Sequence, residues 1–151
     1  MKTEKQPQLL SACQAGLAYF AGVFALAFVL GVLRRMLLVP TLGELGAVLA
    51  EIPVLLVFSW IVSRRITVRM DIPARWSERV LMGGVAFGLL MTAEFGLSIL
   101  AFGTTALEYL ASFRSLQGIV GLLGQILFAV IPGLQILSGS AASPDSTAPP
   151  R

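Results

Sequence analysis

Three polar side chains stand inside otherwise apolar stretches: Glu51 in "LGELGAVLAEIP", Glu94 in "MTAEFGLS" and Gln125 in "GLLGQILF". In a medium of low dielectric, a carboxyl group has three chemical uses. It can hold and release a proton, it can bind a cation, or it can accept hydrogen bonds from a neighbour that compensates its charge. Two acids brought close together cannot both ionise cheaply, so one of them keeps a proton and its pKa rises. A protonated acid can then donate to its partner or to the Gln125 amide. Pro53 follows Glu51 by two residues. Proline has no N–H for the carbonyl four residues earlier, so the sequence predicts a kink there, with a spare backbone acceptor beside the carboxylate.

The surroundings of these residues are lipid-like. The chain has 151 residues, of which 56% are hydrophobic and 13% charged, with a mean hydropathy of +0.86. Soluble domains carry about 25% charged residues. This sequence has too little charge to coat a water-soluble ball, so it reads as a membrane protein. It contains no histidine and one cysteine, Cys13. A histidine-ligated haem, a zinc site of the H-E-x-x-H type, a two-histidine iron site and a Ser-His-Asp triad are thereby excluded. An intramolecular disulfide is excluded as well. No Walker-type phosphate loop is present. No cofactor is expected, no nucleic-acid partner is expected, and enzymatic function ranks last among the function classes.

Four apolar runs are long enough to cross a ~30 Å hydrocarbon core: 9–33, 42–62, 80–100 and 116–137. Each must be helical, since lipid offers no partner to free backbone groups. The expected fold is an all-α membrane protein with four transmembrane helices. Residues 1–8 form an N-terminal segment, 9–137 the helical domain, and 138–151, "SGSAASPDSTAPPR", a disordered tail rich in Ser, Ala and Pro. "LSAC", residues 10–13, resembles a lipoprotein cleavage box but precedes its apolar run, so Cys13 reads as a small core residue.

Lysine and arginine set the orientation. Lys2, Lys5, Arg64, Arg65, Arg69, Arg75, Arg79 and Arg151 fall on one side, and Arg34, Arg35 and Arg114 on the other. Both termini and the loop 63–79 are therefore expected in the cytoplasm. The loop arginines, with Trp60 and Trp76, read as headgroup anchors or as a docking surface.

Two S/T-x-x-E boxes mark helix starts. Thr41–Glu44 opens the second span, and Thr105–Glu108 opens a short interfacial helix of about 106–113 with Leu107, Leu110 and Phe113 as its apolar side. Glu44 is then a cap at the outer surface, level with Arg34, and the two form a candidate interfacial ion pair. Counted from the outer span ends, Glu51 is nine residues from Leu42, Glu94 six from Leu100 and Gln125 nine from Leu116. These offsets correspond to ~14, ~9 and ~14 Å. The three groups are expected to share one layer in the outer half, turned inward. Small-xxx-small spacings at Gly84–Gly88, Gly46–Ala50 and Ala18–Gly22, and glycines at 118, 121 and 124, are expected to let helices approach closely, within one bundle or a homo-oligomer.

"YFAGVFALAFVLGVLR", "VPTLGELGAVLAEIPVLL", "MGGVAFGLLMTAEFGLS", "LEYLASF" and "FAVIPGL" together resemble an uncharacterised family of small four-helix bacterial inner-membrane proteins. The resemblance spans most of residues 19–134. It implies four helices, a Glu-x-Pro in the second (Glu51, Pro53), a glutamate in the third (Glu94) and residence in a bacterial inner membrane. It implies no activity. The small multidrug transporters also have four short helices and a membrane carboxylate, but theirs lies in the first helix, and the first run here has no acid. The expected role is a non-enzymatic accessory or scaffold component of the bilayer, as a homo-oligomer or in a larger complex. The alternative is a small proton-coupled transporter or channel-like oligomer using Glu51 and Glu94.

Overall fold

In the computed structural model of the protein, residues 5–140 are described. Of the expected tail 138–151, residues 138–140 are instead the end of a helix; the rest of it and the first four residues lie outside the described part. Among the described residues the chain is helical throughout, with no strand. The elements are α1 (Lys5–Leu33), a π-helical turn (Arg34–Leu38), α2 (Val39–Arg69), α3 (Trp76–Phe102), α4 (Ala106–Ser112) and α5 (Leu116–Ser140).

The first correction concerns the chain between the first two runs. A loop was expected at 34–41, and helix occupies it instead. Helical hydrogen bonding runs from α1 through the π turn into α2, and the break falls at Gly43, whose φ of 71° and ψ of 173° no helix contains. Positive φ costs glycine little, which is why the corner sits there. Thr41 is thus inside a helix. Its hydroxyl donates back to the carbonyls of Leu37 (3.0 Å) and Leu38 (3.1 Å), the habit of a helix-interior threonine rather than an N-cap. The expected capping box at 41–44 does not form. Pro53, where a kink is expected, lies inside α2, and the non-helical dihedrals of that helix are at Gly43.

The corner at Gly43 turns α1 and α2 into a helical hairpin. Gly22 lies against Val62, where an added Cβ would sit 3.3 Å from the valine, and Arg34 meets Glu51. The partners of each pair are nearly equidistant from Gly43, as an antiparallel arrangement demands. The long helices form a ring in which α1 packs on α2 and α3, and α5 packs on α3 and α2. Tyr19 crosses the centre of that ring from α1 to α5. It stacks on Phe128 at 4.5 Å and donates its hydroxyl to the Phe128 carbonyl at 2.9 Å.

Close approach comes from some of the small residues the spacing suggested, among them Gly22, Gly118 and Gly124, and from others it did not. Gly84 and Gly88 face outward with nothing within 4 Å, and so does Gly121. The tight contacts are at Gly16, where a Cβ would lie 2.7 Å from the Met82 carbonyl oxygen, at Gly83, where it would collide with the carbonyl oxygen of Ala129, and at Gly118, where it would collide with the carbonyl oxygen of Ser112. Gly124 meets Ile52 at 3.2 Å. Buried around these points are Ala12, Ala15, Tyr19, Val23, Met82, Ala86, Leu90 and Phe128.

The outside of the bundle is apolar. Val57, Val68 and Leu100 are 63%, 74% and 88% exposed. Three helical stretches are long and apolar enough to cross a membrane: Gln8–Arg69, which contains the corner, Trp76–Ala101 and Leu116–Ser138. In their most apolar windows only 17%, 22% and 22% of residues are buried inside the protein. Apolar faces of that extent require a non-aqueous solvent, so this is a helical membrane protein.

Candidate functional site: a polar layer inside the bundle

The corner at Gly43 sets the depth of the polar residues. Arg34 lies nine residues before it and Glu51 eight after it; Glu94 lies nine before Gly103 and Gln125 nine after Leu116. Gly103 ends α3 in the left-handed conformation, with φ 65°, and its N–H reaches Ile99. Glu44 on α2 accepts from Gln117 Nε2 near the start of α5 at 3.0 Å, so these helix ends lie together. At about 1.5 Å per residue, the four side chains lie some 12–14 Å in from the same end of the bundle.

The layer contains two contacts. Gln125 Nε2 donates to Glu94 Oε2 at 2.6 Å, joining α5 to α3. Arg34 Nε lies 3.2 Å from Glu51 Oε2, joining the π turn to α2. The two are not isolated, because Glu94 is within electrostatic range of both Arg34 and Glu51. The Arg34 contact has ion-pair distance without hydrogen-bond alignment, and Nε has no directed partner. It is thus mainly a Coulombic contact, with the Glu51 side chain 12% exposed and the Arg34 side chain 33%.

Arg34 was expected to pair with Glu44. It pairs with Glu51 because the chain turns at Gly43 and not at 34–41, which moves Arg34 about two turns inward from the helix end. The π turn adds to this. Its wider ring, closed by the Val39 N–H on the Arg34 carbonyl, changes the direction in which residue 34 projects. Glu44 takes Gln117 in place of Arg34. Glu51, Glu94 and Gln125 lie in one layer, but the two acids do not face each other as an isolated proton-sharing pair. Each has its own partner.

Tyr109 belongs to this neighbourhood and was not singled out in the sequence. Its ring packs edge-on against Phe95 (5.2 Å) and Phe113 (5.1 Å). Its hydroxyl is buried with no hydrogen-bond partner. Burial, and secondarily the nearby Glu94 carboxylate, pushes the phenol above its ordinary pKa. Leu107 and Leu110 of the expected apolar side of α4 point outward, while Phe113 packs inward with Tyr109 as an aromatic pair. The i,i+4 spacing of those two aromatics is the signal that could have shown it. The capping box that opens α4 does form. Thr105 Oγ1 accepts from the Glu108 N–H at 3.2 Å and Glu108 Oε2 accepts from the Thr105 N–H at 2.8 Å. The Thr105 N–H and then its hydroxyl hold the Glu108 carboxyl below the usual range.

Chemically, the layer combines one guanidinium, two carboxyl groups, an amide and a phenol. Arg34 Nε, Tyr109 Oη and Gln125 Oε1 are buried and have hydrogen-bonding capacity that no protein group uses. No protein-family model, no curated protein sequence and no solved structure matches the chain.

Proposed function

We propose that the chain is a four-span integral protein of a bacterial inner membrane, acting as a non-enzymatic accessory or scaffold component whose polar layer braces the bundle. In this reading the hairpin at Gly43 crosses the bilayer twice, α3 and α5 cross once each, and α4 lies in the outer interface with Leu107 and Leu110 toward lipid. Both termini and the arginine-rich end face the cytoplasm, following the lysine and arginine bias. The resemblance to small four-helix inner-membrane proteins points the same way.

The observation that carries the bracing role is that each acid of the layer is engaged by a partner from a different element: Glu51 by Arg34 and Glu94 by Gln125. An unpaired charge in lipid costs ~3 kcal/mol or more. The guanidinium beside Glu51 and the amide donor on Glu94 lower that cost, and contacts between elements fix helix register. The two clefts lined by Gln8, Ser11, Met70, Asp71 and Pro73, and by Trp60 to Arg69, lie at the other end of the bundle, away from the acids.

One observation favours a second reading, a proton-coupled transporter or channel-like oligomer. The unused hydrogen-bonding capacity of Arg34 Nε, Tyr109 Oη and Gln125 Oε1 beside Glu94 is what a proton relay through ordered water would use. Purified protein in proteoliposomes separates the two. Under an imposed pH gradient, the bracing role expects no proton or organic-cation flux above empty vesicles, and native assembly in Glu51→Gln and Glu94→Gln. Flux in the wild type that either substitution abolishes, with the fold intact, overturns it.

A further inference from the structure

The five arginines at the loop end divide into two groups. Arg75 donates to Gln8 Oε1 at 3.3 Å, and Arg79 donates to the carbonyls of Pro73 (3.2 Å) and Ile72 (3.1 Å), so these two hold the turn between α2 and α3. Arg64, Arg65 and Arg69 are exposed on the last turns of α2, and no acid of the described residues forms an ion pair with them. They line one shallow, open cleft together with Trp60, Ile61 and Val68, all on one face of α2.

The order of residues along this face is directional. Trp60 and Ile61 stand one helical turn before Arg64 and Arg65, and Val68 and Arg69 one turn after. An apolar and aromatic step leading into clustered guanidinium groups matches a lipid whose acyl chains lie beside Trp60 and whose phosphate reaches the arginines. The rear of the helix is fixed. Ser63 Oγ donates to Gln135 Oε1 at 3.0 Å, and Gln135 Nε2 donates to the Trp60 carbonyl at 2.8 Å, tying α2 to α5 directly behind the cleft. The cations are thus presented on a braced surface.

We propose that the cleft formed by Trp60, Arg64, Arg65 and Arg69 is a binding site for the phosphodiester head group of an anionic phospholipid. Charge complementarity selects this occupant, because three guanidinium groups without a counter-ion among the described residues favour anionic over zwitterionic lipid. The proposal rests on residence in a bilayer and not on the role of the polar layer.

Native mass spectrometry of the detergent-solubilised full chain tests it with three probes: phosphatidylglycerol, phosphatidylcholine and free glycerol phosphate. Phosphatidylglycerol is expected to remain bound where phosphatidylcholine and glycerol phosphate do not. Each single change, Arg64→Gln or Arg69→Gln, should weaken retention roughly fivefold, and the triple change with Arg65→Gln about a hundredfold. Arg114→Gln, at the other end of the bundle, should leave retention unchanged. Circular dichroism checks that each variant is folded, and the single variants decide the matter if the triple variant is not. Equal retention of the two lipids, undiminished retention in the variants, or glycerol phosphate binding as tightly as the lipid would overturn the proposal.

Discussion

Adding one methyl group at Gly83 is expected to separate α3 from α5, while the same change one residue later is expected to be harmless. A Cβ on Gly83 would collide with the carbonyl oxygen of Ala129 and lie 3.1 Å from its carbonyl carbon. Both are backbone atoms of α5, so no side chain can rotate away, and the helix itself must move by about an ångström or more. Tyr19, Met82, Ala86 and Phe128 belong to the cluster next to this contact, and their dispersion contacts weaken as the gap opens. Overpacking of this kind costs roughly 3 kcal/mol. Gly84 faces outward with nothing within 4 Å, so Gly84→Ala removes a helix-weakening glycine and should be neutral or stabilising by up to about 1 kcal/mol. Unfolding each variant with sodium dodecyl sulfate in mixed micelles, followed by far-ultraviolet circular dichroism, gives the two free energies. Equal effects at 83 and 84, or greater harm from Gly84→Ala, would refute the assignment of the α3–α5 contact to Gly83.

Three further outcomes follow from other contacts. Tyr19→Phe keeps the ring stack on Phe128 and deletes the bond to its carbonyl, so it should cost about 1 kcal/mol in the same unfolding assay. Glu108 should titrate below its ordinary 4.5 when followed by side-chain NMR, and Thr105→Ala should raise that midpoint, because the Thr105 amide and hydroxyl stabilise the carboxylate. Since the folded-state value is the lower one, the start of α4 keeps this support above pH 4.5 and loses it as pH falls through the folded midpoint. A cysteine at Ser77, in a Cys13→Ala background, should resist an impermeant thiol reagent applied outside intact cells; labelling would reverse the proposed orientation.

Composition made the helical class and the lipid-facing exterior legible, because apolar runs of 20 or more residues leave few alternatives. Counting at a fixed rise per residue put Glu94 and Gln125 at matching depths, and the two are hydrogen-bonded. The partner of Arg34 was not legible. Arg34 and Arg35 looked like a loop because arginines usually end a span, whereas the chain continues as helix to Gly43. A shift of the corner by about two turns moved Arg34 from the level of Glu44 to that of Glu51. The G-x-x-x-G at 84–88 misled for a related reason: spacing shows that two glycines share a face but not which face meets a helix. Gly83, one residue away, carries the contact. Tyr109 was hidden because the leucines of its short helix defined the outward face and left the inward one unmarked.

The bracing account depends most on the contact between Arg34 and Glu51, and a double-mutant cycle measures it directly. Arg34→Met alone leaves the Glu51 carboxylate uncompensated and should cost about 2 kcal/mol, toward the low side for a buried pair because a third of the Arg34 side chain is exposed. Glu51→Gln alone should cost somewhat less. The account expects the double variant to recover part of both losses, with a coupling of roughly 1 kcal/mol or more. Strict additivity of the two changes would contradict it.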